Sequence, residues 1–276
     1  MIPRANITAW RARAPWPDDA QVEQDLVLSR ALVELFSVPL LREALVFRGG
    51  TALHKLFFDT PGRYSEDIDL VQRNAEPIGP VLDAVRAVLD PWLGAPRRER
   101  GKGMVTLFYR FETTGLPART MRLKVEINTR EHFAVLGYLE RRIEVGKPWF
   151  SGAAEIPVYT LEEMLATKLR ALYQRKKGRD LYDLRLGLAL LPDMEGASRV
   201  VECFRRYMDH GKTPVSRAQF EENLEIKGRD ATFMSDIAPL LPVGVVYDPV
   251  DAMRVVRTRL VEALPGSGWK GVGVAS

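Results

Sequence analysis

In Ser65-Glu66-Asp67-Ile68-Asp69-Leu70, polar and apolar side chains alternate from Asp67 onward with the period of a β-strand. Successive strand residues point to opposite faces, so Ser65, Asp67 and Asp69 share one face while Ile68 and Leu70 turn into a core. Two carboxylates about 6.6 Å apart on one face repel each other unless a cation lies between them. A divalent ion meets that need, and Mg²⁺ takes one or two carboxylates together with substrate phosphates. An isolated Asp-x-Asp more often reads as an edge strand with solvated acids, so the surrounding sequence has to separate the two readings.

Upstream, Phe47-Arg48-Gly49-Gly50-Thr51 places two glycines between a short strand and a helix predicted over 51–58. Glycines let a backbone approach a phosphate closely, and a helix N-terminus offers free N–H groups and positive dipole. Thr51 is expected either to cap that helix or to meet a phosphate oxygen. The residues between Thr51 and Asp67 suffice for a helix, the turn Asp59-Thr60-Pro61-Gly62 and a return strand. Downstream, 104–112 and 119–128 read as a hairpin. In Leu123-Lys124-Val125-Glu126-Ile127-Asn128 the apolar residues face one side, and Lys124, Glu126 and Asn128 the other. If this strand lies beside 65–71, Glu126 completes a carboxylate triad able to serve two metals; otherwise it pairs with Lys124 or Arg122.

The composition agrees with a folded chain: 276 residues, 46% hydrophobic and 28% charged, net charge +4. The basic excess is small, permissive of nucleic acid and no more. Cys203 is the single cysteine, which excludes an intrachain disulfide, and with three scattered histidines it forms no His/Cys zinc pattern. No apolar run reaches the ~20 residues of a membrane helix, and Met1-Ile2-Pro3-Arg4 opens no signal peptide. The expectation is a cytoplasmic protein without a membrane partner.

Residues 18–37 read as a first helix capped by Asp18 or Asp19, and Pro77 to Leu89 as a second. Residues 1–17 and the Gly-rich stretch from Pro265 read as loose ends. Arg97-Arg98-Glu99-Arg100-Gly101-Lys102 reads as a mobile loop and a candidate second nucleic-acid contact. From about residue 156 helical periods dominate, over 160–176, 180–191, 195–209, 216–225 and 249–263. Thr160-Leu-Glu-Glu163 has the spacing of a capping box. The chain is therefore expected to be α+β, an α/β domain over 1–155 followed by a helical domain over 156–276.

Within that helical half, Lys168 falls inside the apolar stripe Leu161, Met164, Leu165, Leu169, Leu172. A buried lysine needs a partner, or else snorkels to water. As a point charge it suits a triphosphate. Asp180 and Asp183 flank the next helix's stripe. Acids in a first turn are favoured by the dipole alone, but Asp183 can also meet Lys168 across a helical hairpin, either to position it or to act as a base toward a hydroxyl. Arg170, Arg175, Lys176, Lys177, Arg179 and Arg185, interleaved with Tyr173 and Tyr182, form the strongest basic cluster. They read as a solvated helix end or as a rail for an RNA backbone.

Taken together, FRGGTALHKL, YSEDIDL, LKVEIN and TLEEMLATKLRALYQRKKGRDLYDL resemble the AbiEii/AbiGii-type nucleotidyltransferase toxins, MenT-like toxins of type IV toxin–antitoxin systems. The resemblance runs from Phe47 to about Leu190. It implies a polymerase-β-like nucleotidyltransferase core followed by a helical domain, and transfer of a nucleotide from an NTP with Mg²⁺ or Mn²⁺. In several members the acceptor is the 3′ end of tRNA, which blocks translation, and the toxin is encoded beside a cognate antitoxin. Carried over by motif, Asp67 and Asp69 are the expected metal ligands. Gly49, Gly50 and Thr51, with Ser65, form the expected phosphate loop; Lys168 contacts the triphosphate, and Asp183 or Asp180 is the remaining catalytic acid. Two rival readings keep the residues but not this chemistry: transfer to a small-molecule or protein hydroxyl, and an inactive NTP-binding interaction module.

Overall fold

In the computed structural model, residues 2–101, 103–146 and 149–271 are described. The chain divides into two units, Met1–Tyr159 with Leu240–Gly244, and Thr160–Pro239 with Val245–Ser276. The expected boundary at 155/156 falls inside a strand, and a short later segment joins the first unit.

The first unit runs α1 (Arg4–Trp10), α2 (Asp19–Phe36), α3 (Pro39–Ala44), β1 (Leu45–Arg48), α4 (Gly49–Leu56), β2 (Asp67–Gln72), α5 (Gly79–Leu93), β3 (Arg97–Gly101), β4 (Met104–Glu112), β5 (Thr120–Asn128), β6 (Tyr138–Val145) and β7 (Gly152–Tyr159). Its strands form one mixed seven-stranded sheet in the order β3-β4-β5-β2-β1-β7-β6. β2 is antiparallel to β1 and parallel to β5. The alternation legible in β2, β4 and β5 separates the faces. Ile68, Leu70, Val105, Leu107, Leu123, Val125 and Ile127 are buried, and α2 and α5 pack on strands of this sheet. Each such side chain contributes roughly 1.5–3 kcal/mol of burial. The opposite face of the same strands carries Asp67, Asp69, Lys124 and Glu126, all half-buried.

α2 starts as its sequence dictates, with the Asp18 carboxylate accepting from the Ala20 N–H at 2.9 Å. The stretch expected to be loose before it is not. It forms α1, buries Ile2, Asn6 and Ile7, and sets Trp16 edge-on against Tyr64 at 5.8 Å. Arginines and prolines mask these few anchors in the composition. Residues 97–101, expected as a mobile loop, form the edge strand β3 along β4; charged side chains suit an edge that must resist pairing with another chain. Lys102 lies outside the described residues. β6 and β7 were not legible in advance, because β6, Tyr-Leu-Glu-Arg-Arg-Ile-Glu-Val, is a polar edge strand.

The second unit is helical: α6 (Leu161–Gln174), α7 (Gly178–Ala189), α8 (Met194–His210), α9 (Arg217–Gly228), α10 (Ala231–Ser235) and α11 (Pro249–Arg259), followed by a 3₁₀ turn at Val261–Ala263. Thr160 caps α6, its hydroxyl oxygen accepting from the Glu163 N–H at 3.3 Å, and the Tyr207 hydroxyl donates to the buried Glu163 carboxylate at 2.7 Å. α6 packs on α7 and α8 through Leu165, Leu169 and Leu172. Of the glycine-rich end, the Trp269 N–H is docked on Glu221 at 2.7 Å; residues 272–276 lie outside the described residues. No described helix is long and apolar enough to cross a membrane.

Candidate active site

β1 runs straight into α4, and the turn between them needs two glycines for different reasons. Gly49 has φ +83°, a conformation that side chains rarely adopt, and a Cβ there would lie 2.2 Å from Asp69 Oδ2. At Gly50 a Cβ would lie 2.2 Å from Arg63 Nη2 and 3.3 Å from Ser65 Oγ. The backbone at the start of α4 thus lies directly against the acid-bearing strand. The helix is capped by the extended Arg48, with no side-chain cap bond. Thr51, expected as a possible cap, is tied elsewhere: its hydroxyl donates to the Asp67 carbonyl oxygen at 2.6 Å and sits 2.8 Å from Ser65 Oγ, with the residue 1% exposed.

Register pairs Asp69 with Arg48 on one side and with Glu126 on the other, and Asp67 with Lys124. Directly opposed residues share a face, so the three expected carboxylates do lie together on one surface. They do not close into a ready-made metal cluster: among the described residues no three His, Cys, Asp or Glu side chains are arranged to hold an ion. Lys124 stands among them, its ammonium 3.3 Å from Asp67 Oδ2 and 3.0 Å from Glu126 Oε2. Burial raises the Asp67 carboxyl above its ordinary pKa, Lys124 opposes this, and Asp69 and Glu66 add to it. Burial works against the Lys124 ammonium, but Asp67, Glu126 and Asp69 outweigh it and hold its pKa up. On the other flank Arg48 lies 2.8 Å from Glu131. Burial again opposes its charge, while Glu131, Tyr159 and Asp69 sustain it.

The surface therefore carries three carboxylates against one ammonium, a net negative charge that Lys124 offsets only in part. Its hard oxygen donors are of the kind a hard divalent cation takes, and they stand beside a glycine backbone. Sequence reasoning offered Lys124 as an alternative partner of Glu126, and that pair is present at 3.0 Å; its second contact, with Asp67, was not foreseen. Arg48 and Arg63 were missed, although Arg48 adjoins the Gly-Gly pair; Arg63 gave no local signal.

In the second unit Lys168 is buried, as its place in the stripe implied. Its Nζ lies 2.7 Å from Asp183 Oδ2 and 3.4 Å from Asp180 Oδ1, and both carboxylates are 0% exposed. Asp180 also accepts a fork from Arg175, Nε at 2.7 Å and Nη2 at 2.8 Å. The expected Lys168–Asp183 couple is thus present, enlarged by Asp180 and Arg175 into a four-residue network. The other basic residues are also engaged locally. Lys176 pairs with Asp230 and Lys177 lies 3.9 Å from Asp236, while at Arg179 it is the backbone N–H that donates to Asp236, at 3.3 Å. The Arg170 guanidinium lies 4.9 Å from the Tyr207 ring centroid. His54 and His132 make structural bonds, Nδ1 of His54 accepting from the Gly62 N–H and His132 meeting the Gln72 carbonyl.

A glycine turn packed against an Asp-x-Asp strand of a mixed sheet, followed by a helical unit holding a buried lysine, is the architecture of a nucleotidyltransferase. The chain belongs to the nucleotidyl transferase AbiEii toxin family of type IV toxin–antitoxin systems, whose family model matches residues 30–251. Among solved structures it is similar in fold to MenT4, a nucleotidyltransferase toxin of Mycobacterium tuberculosis H37Rv, at a TM-score of 0.65 and 20% identity over 96% of this chain and 91% of that one. It is also similar in fold to JHP933 from Helicobacter pylori, at a TM-score of 0.53 and 16% identity over 88% of this chain and 90% of the other. A search of curated proteins found no match.

Proposed function

We propose that this toxin transfers a nucleotide from an NTP to the 3′ end of an RNA in the cytoplasm, with the acceptor end of tRNA as substrate and arrested translation as the consequence. The observation that carries the reading is the approach of the Gly49 backbone to Asp69, which sets the glycine turn at the start of α4 directly against a carboxylate pair. Asp67 and Asp69, with Glu126 beside them, would hold Mg²⁺ or Mn²⁺. Such an ion, when bound, neutralises the triphosphate and sharpens the attacking oxygen. Gly49 and Gly50 bring the backbone at the start of α4 close to these acids, where its N–H groups suit the phosphates, and Ser65 offers them a hydroxyl.

Lys168 serves as a cation for the triphosphate, and its ammonium is oriented by Asp183 and Asp180 rather than by water. With both acids fully buried and the Asp183 carboxylate 2.7 Å from the ammonium, Asp183 acts through Lys168 as a positioning residue rather than as a base toward substrate. In the reaction the 3′-hydroxyl gives up its proton to water as its oxygen bonds to the α-phosphorus, the bridge to the β-phosphate breaks, and pyrophosphate leaves with that electron pair. The toxin's natural partner would be a cognate antitoxin.

The test is incubation with total RNA and each labelled NTP in turn, with and without divalent ion. One NTP should label RNA of tRNA size, only with the ion, and Asp69→Ala and Lys168→Ala should abolish labelling while retaining the wild-type circular dichroism spectrum. Undiminished labelling by either variant removes that residue from catalysis, and label appearing only in protein or small molecules overturns the RNA acceptor.

A further inference from the structure

Cross-strand register carries the acid-bearing face of the sheet outward to its edge. Asp67 opposes Lys124, Lys124 opposes Phe108, and Phe108 opposes Arg97. This row leads from the carboxylates to the edge strand β3, about 14 Å at the usual strand spacing. The half-buried Phe108 ring meets two guanidinium groups, Arg97 at 4.9 Å and Arg122 at 5.1 Å from its centroid. In the adjoining row Arg110 directly opposes Arg122. Both are exposed, and neither has an acidic partner among the described residues. Like charges directly opposed across a strand pair are destabilising, so this pair invites an anion from outside.

Acids on the same face do not supply it. Glu99 pairs with Arg97 at 2.8 Å, but with side chains 53% and 62% exposed the pair is weak. Glu112 accepts the Thr120 hydroxyl at 2.6 Å, and Glu126 is held by Lys124. The contrast is with the cations of 175–177, where Arg175, Lys176 and Lys177 each face an aspartate of their own unit.

We infer that the β3–β4–β5 part of this face is the track of the acceptor RNA. Bases stack on the layer formed by Phe108 and its guanidinium groups, phosphates lie against Arg97, Arg110 and Arg122, and the 3′ end points toward Asp67 and Asp69. An aromatic platform flanked by arginines suits single-stranded nucleic acid, whose bases are free to stack. The direction of the strand rests on the nucleotide-transfer reading; the binding surface does not.

The experiment is fluorescence anisotropy of a short fluorescein-labelled single-stranded RNA on the full-length protein, without NTP, over a range of salt. Arg110→Gln/Arg122→Gln should weaken binding at least tenfold at low salt and reduce the log–log salt slope by about 1.4, the value for two single-strand phosphate contacts. Phe108→Ala should cost about tenfold, and Phe108→Trp should retain wild-type affinity. Circular dichroism melting confirms that the variants fold. Wild-type affinity and slope in Arg110→Gln/Arg122→Gln overturn the track, as does a larger loss from Lys176→Gln/Lys177→Gln. RNA binding through this face with no transfer of any NTP supports the track and overturns the transfer reading. Transfer to RNA with unaltered binding in the arginine variant overturns the track alone.

Discussion

Replacing Lys168 by methionine removes the ammonium 2.7 Å from one fully buried carboxylate and 3.4 Å from another. Asp180 keeps the fork from Arg175; Asp183 loses the cation it faces. Taking one partner from a buried ion pair costs about 3–5 kcal/mol, because the remaining charge stays out of water. Arg175→Gln should cost less, about 1 kcal/mol, since its side chain is half exposed and water can replace it. Lys168→Met/Asp183→Leu removes both charges and should recover much of the loss, giving a coupling energy of roughly 2–3 kcal/mol in a double-mutant cycle. Urea unfolding followed by circular dichroism measures all four proteins. A Lys168→Met cost below about 1 kcal/mol, or a coupling energy near zero, would refute the argument that buried acids hold this lysine, and with it the positioning role given to Asp183.

Gly49→Ala combines a φ of +83° with a Cβ 2.2 Å from Asp69 Oδ2. It should destabilise by about 1–2 kcal/mol and reduce nucleotide transfer about 100-fold by displacing Asp69; wild-type melting and turnover would show that the close approach is not required. Lys227 donates to the Leu172 and Tyr173 carbonyl oxygens at the end of α6 and to Asn223 Oδ1 at 2.6 Å, and burial, partly offset by Asp180, brings its pKa down to about 8. Between about pH 8 and its unfolded value the native state holds fewer protons than the unfolded one, so this group makes stability rise with pH. The difference in unfolding free energy between wild type and Lys227→Met should therefore grow by about 1–3 kcal/mol across that window, and a flat or falling difference in urea titrations would contradict it.

Much of the fold was readable because its signals are local. The alternation in 65–71, 104–112 and 119–128 marks strands that appear as β2, β4 and β5, and Asp18 and Thr160 mark helix starts through bonds made within three residues. Lys168 was conspicuous because an ammonium inside an apolar stripe contradicts its own periodicity. β3 and α1 were misread because charged and proline-rich stretches look alike whether or not a few anchors dock them. The basic residues of 170–179 could not be sorted from sequence either, since Asp230 and Asp236, which engage Lys176 and Lys177, lie more than fifty residues further along.

The amino-acid order alone determined which side chains share a face and where chain direction changes, because those properties depend on the fixed pitch of strands and helices. It was the folded molecule that set Asp69 beside Glu126 through the parallel pairing of β2 and β5, placed the Lys124 ammonium between two carboxylates, and opposed Arg110 to Arg122. Register between strands distant in sequence is chosen by packing of their buried faces, and no local pattern encodes it.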